Sequence, residues 1–119
     1  MDTPKIFDSE YRFCLILWEH QPINSTKLTA LCAQQLGWSK ATTYTVIRRL
    51  AERGVLKNEN ATVAALVSKE QVQQAQMQEM MEKTFEGSIP AFIAAFGNCK
   101  KLTRQDVKQL EDLIQSYKE

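Results

Sequence analysis

Between Ser9 and His20, Tyr11, Cys14, Leu15 and Trp18 stand at i, i+3, i+4 and i+7, the spacing that lines one face of an amphipathic helix. Asp8 or Ser9 is placed to cap that helix, which is expected to end before Pro22. Asn24 and Ser25 precede a shorter stripe of Leu28, Leu31, Cys32 and Leu36, stopped by Gly37, a residue suited to the left-handed turn that follows a helix. Trp38 and Ser39 open a third helix at once, with Ser39 as N-cap and Gly54 as the stop after Arg53. Two short helices joined by about three or four residues that include a glycine make a helix-turn-helix.

Beyond Gly54 the helical period is lost. Val55 and Leu56 run into Lys57-Asn58-Glu59-Asn60, a polar stretch suited to a turn, and then into the β-compatible segment Thr62 to Val67. A small hairpin, the wing of a winged helix, is expected there. Ser68 with Gln71 forms a capping-box pattern opening a long polar helix that carries Val72, Met77, Met80, Met81, Thr84 and Phe85 and runs to about Glu86. Gly87 breaks it. Ser88 and Pro90 start a fifth helix striped by Ile89, Phe92, Ile93 and Phe96, and Thr103 with Asp106 caps a last one carrying Val107, Leu110, Leu113, Ile114 and Tyr117. The pattern predicts a mainly α protein with a small β-hairpin: a winged helix-turn-helix in residues 1–67, then a helical segment in residues 68–119.

That C-terminal segment has a wide apolar stripe and too few residues to enclose a good core by itself. Its stripe is expected to need a partner surface, either the wing domain onto which it folds back or, the favoured case, a second copy, which would set two helix-turn-helix units at the spacing of an inverted repeat. Met77, Met80, Met81, Phe85, Ile89, Phe92, Ile93, Phe96, Leu110, Leu113, Ile114 and Tyr117 are the candidate dimerisation residues. The methionines read as flexible packing groups.

Composition narrows the class. A chain of 119 residues, 44% hydrophobic and 24% charged, sits near globular averages, which argues against disorder or a fibre. No stretch approaches the roughly 18 apolar residues of a membrane span and the N-terminus carries no leader pattern, so a cytoplasmic protein without membrane insertion is expected. Cys14, Cys32 and Cys99 are widely spaced and odd in number, which suits neither a disulfide framework nor a metal site. The net charge of +1 hides an uneven distribution: from Gln21 to Lys57, Lys27, Lys40, Arg48, Arg49, Arg53 and Lys57 face only Glu52, a local excess of about +5.

That excess falls on the third helix. At its helical period Thr43, Ile47 and Leu50 gather on one side, while Thr42, Thr45 and Arg49 gather roughly 130° away. The second face offers hydroxyls and a guanidinium, flanked by Lys40, Tyr44 and Arg48, in the arrangement that suits a major groove. The candidate DNA-binding residues are Ser39, Lys40, Ala41, Thr42, Tyr44, Thr45, Arg48, Arg49 and Arg53. Arg49 and Thr45 are expected at bases or nearby phosphates, Lys40 and Arg53 mainly at the backbone.

From Trp38 to Gly54 the chain reads WSKATTYTVIRRLAERG. It resembles the recognition helix of the penicillinase and methicillin-resistance repressors, the BlaI/MecI family, whose pattern is Trp, Ser, threonines three apart, then Arg-Leu and a basic residue before Gly. Leu17-Trp18-Glu19-His20 with Ile23-Asn24 is similar to the end of the family's first helix. Gly87-Ser88, Phe96, Leu102 and Asp106 before Leu110 resemble its dimerisation segment. The resemblance implies a homodimeric repressor of an antibiotic-response operon of the β-lactam type and of its own expression. It implies release by a membrane-bound sensor metalloprotease that cuts in the dimerisation region. The family's scissile Asn-Phe position falls on Ala95-Phe96, where the phenylalanine matches and alanine replaces asparagine. The wing departs as well: the family's Gly-Arg turn and aromatic strand are replaced by Asn58-Glu59-Asn60-Ala61-Thr62-Val63-Ala64-Ala65. A copper-responsive branch carries a cysteine cluster near its C-terminus, whereas Cys99 stands alone there, so no cofactor is expected.

An enzyme is disfavoured for want of parts. His20 is the sole histidine and sits at a helix end, where the dipole accounts for it, and no phosphate-cradling glycine loop or metal-ligand cluster is present. Two alternatives remain at this level: a winged-helix protein-interaction adaptor, and a repressor released by a small ligand without proteolysis.

Overall fold

The computed structural model describes residues 3–118. The elements run α1 (Asp8–His20), β1 (Ile23–Asn24), α2 (Ser25–Leu36), α3 (Lys40–Glu52), β2 (Leu56–Glu59), β3 (Thr62–Ala65), α4 (Lys69–Phe85), α5 (Ile89–Cys99) and α6 (Arg104–Ser116). The fold is mainly helical with one small antiparallel sheet of order β1-β3-β2. Two compact units divide the chain, Met1–Gln76 and Met77–Glu119. The division lies beyond Val67 because Val72 of α4 is buried with the core of the first unit.

Helix boundaries follow the side-chain acceptors in the sequence. The Asn24 carboxamide oxygen accepts the Thr26 N–H at 2.8 Å, and Ser39 Oγ accepts the Thr42 N–H at 3.1 Å. Ser68 and Gln71 exchange both bonds of a capping box at 3.0 and 2.7 Å. Ser88 Oγ caps α5, and Thr103 with Asp106 completes a capping box on α6. Each acceptor satisfies amide groups that a helix start leaves without an intrahelical partner. Gly37 ends α2 at φ 70°, a conformation that a Cβ disfavours.

The first helix departs from expectation in two respects. Its N-cap is Phe7, whose amide is held by Glu10 Oε1 at 2.9 Å, and its buried side is Glu10, Phe13, Cys14, Ile16 and Leu17. Leu15 faces solvent, and Tyr11 and Trp18 are half-buried. The Trp18 indole N–H donates to the Val67 carbonyl at 3.0 Å, so this side chain anchors the end of the wing as well as packing against the core. Phe13, Leu17, Leu28, Leu50, Leu56 and Val63 are the large fully buried side chains around which α1, α2, α3 and the sheet close.

The wing is longer in strand and shorter in turn than its polarity predicts. Lys57, Asn58 and Glu59 belong to β2 and pair with Ala64, Val63 and Thr62. The turn is Asn60-Ala61, with φ of 53° and 59°, both left-handed as a two-residue hairpin loop requires. β1 has two residues, Ile23 opposite Val63 and Asn24 opposite Thr62, too few for a sequence pattern to reveal. Further bonds fix the sheet: Ala61 O accepts the Ser25 N–H at 2.8 Å, and Gln21 Oε1 accepts the Ala65 N–H at 2.7 Å.

The second unit is built differently. None of its described residues is buried. Glu86 and Gly87, at φ 50° and 78°, turn the chain out of α4, and the Gly87 N–H donates to the Met81 carbonyl at 2.9 Å. Phe85 meets Phe92 edge to face with centroids 5.5 Å apart, and Phe92 tilts against Phe96 at 6.2 Å. Among the described residues no helix is long and apolar enough to cross a membrane.

Candidate nucleic-acid interface

The two sides of α3 separate as its period requires. Thr43, Val46, Ile47 and Leu50 are buried, and Thr43 Oγ1 returns a bond to the Ser39 carbonyl at 3.2 Å. Lys40, Ala41, Thr42, Arg48 and Arg49 are exposed and Thr45 is half-exposed. The helix is set in place by its approach turn, where Trp38 stacks on Phe13 with planes 5° apart. Ser39 Oγ also donates to Thr42 Oγ1 at 2.9 Å, which orders the first hydroxyl of the outer face. Arg48 makes a loose i,i+4 pair with Glu52 at 4.0 Å, both side chains 69% exposed. Such a pair contributes little, and a stronger anion displaces it readily.

Two expected members of the face are engaged elsewhere. The Tyr44 hydroxyl donates to Ser25 Oγ at 3.3 Å and bridges α3 to the start of α2. This bond, with further bonding to Thr26 and the charge of Lys40, outweighs partial desolvation and lowers the phenol below its ordinary value. Arg53 turns inward to α1. Its Nη2 donates to Glu10 Oε2, its Nη1 donates to the Lys5 carbonyl at 2.9 Å, and its guanidinium carbon lies 5.3 Å from the centre of the Phe7 ring. Glu10 is buried, which raises a carboxyl, yet the bonds from Arg53 and Phe7 and the charges of Arg53 and Arg49 hold it below its ordinary value. The structure therefore brings Lys40, Ala41, Thr42, Thr45, Arg48 and Arg49 onto one outer surface, and the Arg53 guanidinium, expected at the DNA backbone, contacts Lys5, Phe7 and Glu10.

Glu10 escaped the sequence reading because charge argued for solvent. A signal was present: Glu10, Phe13, Cys14 and Leu17 repeat the i, i+3, i+4, i+7 spacing as well as the stripe beginning at Tyr11 does. The two buried cysteines are inert. Burial and the neighbouring Glu10 charge push the Cys14 thiol up to about 12 despite Arg53, and burial raises Cys32 despite a bond with Thr43. A buried thiol held in its neutral form is a poor nucleophile. His20 donates from Nδ1 to the Ile16 carbonyl at 3.0 Å. No group of three or more His, Cys, Asp or Glu side chains able to hold a metal occurs among the described residues.

In the second unit, Met77, Met80, Ile89, Ile93, Phe96, Leu113, Ile114 and Tyr117 are exposed, and Met81, Phe85, Phe92 and Leu110 are half-buried. Ala95 and Phe96 lie in α5, Ala95 half-buried and Phe96 39% exposed.

Comparison with known families decides the identity: the model of the penicillinase repressor family matches residues 6–116. The chain belongs to the penicillinase repressor family. A penicillinase repressor from Bacillus licheniformis is 18% identical over 119 residues, covering 97% of this chain and 93% of that relative. A solution structure of the Bacillus licheniformis BlaI monomeric form in complex with the blaP half-operator has 24% identity and a TM-score of 0.52. It covers 60% of this chain and 93% of the other, a likeness of fold. Members of the penicillinase repressor family regulate transcription and are not enzymes. The BlaI/MecI-like reading and the winged-helix fold expected from sequence both hold, and the chain belongs to a family of transcriptional repressors.

Proposed function

We propose that two copies of this penicillinase repressor family member pair through their C-terminal helices and bind an inverted-repeat operator, each placing α3 in a major groove. The observation that carries this reading is the division of α3, one side in the core and the other offering Lys40, Thr42, Thr45, Arg48 and Arg49 to solvent. Arg49 and Thr45 read bases or adjacent phosphates, while Lys40 and the helix N-terminus hold the backbone. The binding of a half-operator by the BlaI structure of the same fold supports the assignment.

Dimerisation is supported by the second unit, whose apolar side chains stay partly wet in the single chain. The operon controlled is one of antibiotic response, of the β-lactam type, together with the repressor's own gene. Release follows cleavage at Ala95-Phe96 by a membrane-bound sensor metalloprotease. That bond lies near the end of α5, where Gly97 follows and the Phe96 carbonyl accepts the Lys100 N–H at 3.0 Å, so a short stretch of helix must open to admit a protease. A cut there removes the end of α5 and all of α6, and with them Phe96, Leu110, Leu113, Ile114 and Tyr117 of the pairing residues.

Fluorescence anisotropy tests the reading, with a duplex holding the inverted repeat upstream of the chain's own gene, a scrambled duplex and a salt series. Two chains bound per repeat, with a preference that survives higher salt, is the expected result. Equal weak binding to both duplexes that vanishes with salt overturns it, because phosphate attraction alone behaves so. Intact-mass spectrometry of the chain from β-lactam-treated host cells reads the cleavage: fragments meeting at Ala95-Phe96 are expected, and an uncut chain released from its operator overturns that part.

A further inference from the structure

Arg53 lies at the C-cap of α3, one turn beyond Arg49, and both of its guanidinium donor contacts go to the N-terminal side of the fold, to Lys5 ahead of α1 and to Glu10 in its first turn. Its partner Glu10 is 6% exposed and uses both carboxylate oxygens: Oε2 accepts from Arg53, Oε1 from the Phe7 amide that opens α1. The guanidinium thus bridges three points of the N-terminal arm: the Lys5 carbonyl, the Phe7 ring and the Glu10 carboxylate. A planar fork with fixed donors fixes an angle as well as a distance. At the other end of α3, the stack of Trp38 on Phe13 ties the entry turn to the same helix. Both ends of α3 are therefore referenced to α1, the exit by a charged clamp and the entry by a ring stack.

We propose that Glu10 and Arg53 are positioning residues for DNA recognition, the pair fixing the exit angle of α3 so that Thr45 and Arg49 meet base edges together, while Arg53 takes no phosphate. The proposal rests on the groove reading above and assigns to that site a specificity element remote from the DNA. Direct base readout depends on geometry more steeply than phosphate attraction does. Loosening the clamp therefore lowers discrimination and leaves non-specific binding in place. A phosphate-contacting arginine gives the opposite pattern, a uniform loss together with a shallower salt dependence.

The test uses the full chain, the inverted-repeat and scrambled duplexes, and salt between roughly 50 and 200 mM. R53Q and E10Q are each expected to weaken binding of the inverted repeat roughly five- to tenfold. The scrambled duplex and the slope of log affinity against log salt stay unchanged. In the double variant R53Q/E10Q the second substitution adds less than about twofold, since the pair acts as a unit. R53K guards against a variant that fails to fold, which thermal unfolding by circular dichroism detects. It keeps the charge but not the planar fork, so a clamp loses discrimination while a phosphate contact binds like the parent chain. A shallower salt slope in R53Q by about one charge, tighter binding in E10Q, additive losses, or parent-like R53K each overturn the clamp. R49A separates the two readings: unchanged binding by R49A removes the groove assignment and the clamp with it. Weakened, less selective R49A beside parent-like R53K removes the clamp alone.

Discussion

The indole of Trp38 lies over the ring of Phe13 with centroids 6.0 Å apart and planes 5° from parallel. The residue before the N-cap of the recognition helix is thereby fastened to a fully buried side chain of α1. Trp38→Ala removes that stack and opens a gap beside Phe13, and it is expected to destabilise the protein by about 2–3 kcal/mol, below the range for a fully buried aromatic because Trp38 is half-buried. Trp38→Phe keeps a stacking ring and costs under about 1.5 kcal/mol. Urea unfolding of the full chain measures both, and equal losses in the two variants would deny the stack its role.

Arg49→Ala is expected to cost roughly 1–3 kcal/mol of operator affinity and to flatten the preference for the inverted repeat over a scrambled duplex. Lys40→Ala, at the first position of α3, lowers affinity for both duplexes alike and reduces the salt slope by about one. Anisotropy titrations across a salt series distinguish the two behaviours.

Ala61 adopts φ 59° at the tip of the wing, where a Cβ costs about 1–2 kcal/mol. Ala61→Gly relieves that strain, though it also frees the unfolded chain. A net gain of about 0.5–1 kcal/mol is expected in the same urea measurement, with the hairpin and the Ala61 carbonyl bond to Ser25 retained. A loss of stability would mean that the turn differs from the left-handed pair described.

The Glu10 carboxyl titrates lower in the folded chain than its ordinary value of 4.5: burial raises it, but the bonds and charges of Arg53, Phe7 and Arg49 prevail. A lowered folded value means that the unfolded chain binds the proton more readily. This contribution to stability is complete above about pH 4.5 and is lost as pH falls through the folded value. Acid unfolding of the parent chain is expected to show this loss, and Glu10→Gln to lack it while starting from lower stability near neutral pH. Parallel acid curves for the two chains would remove Glu10 as its source.

Ile114 is 58% exposed on α6, on the face assigned to pairing. Ile114→Asp sets a charge where a second copy is expected to cover the surface. Sedimentation should report a single chain, with the inverted repeat bound more weakly and a half-site duplex bound as before. An unchanged dimer would place the pairing surface elsewhere.

Where a short polar side chain meets a helix start, sequence and structure agree: Ser39, Ser88 and Thr103 cap the helices they were expected to cap, and Ser68 pairs with Gln71. These bonds span three residues, so the local sequence holds both partners. The expected stripe of α1 held at Cys14, and at Tyr11 and Trp18, which pack against the core, but not at Leu15; a second stripe one residue earlier fits the same spacing and is the more deeply buried, and it begins with Glu10, a charge whose partner lies 43 residues away. The two residues of β1 and the role of Tyr44 depend likewise on groups distant in sequence, Val63 and Thr62 for the strand and Ser25 for the hydroxyl. On the candidate interface the exposed threonines and arginines were legible from helical period alone. Arg53 was not, because position on a helix reveals direction and not which distant carboxylate will claim the charge.

The second unit keeps every described side chain at least partly in water. A half built so has little stability of its own and takes it from whatever covers it, which makes its order a function of concentration. With a second copy as that cover, gene dosage becomes a control in its own right. At low abundance operator occupancy climbs with about the square of the number of chains, so a modest fall in synthesis, or dilution at cell division, relieves repression more than in proportion.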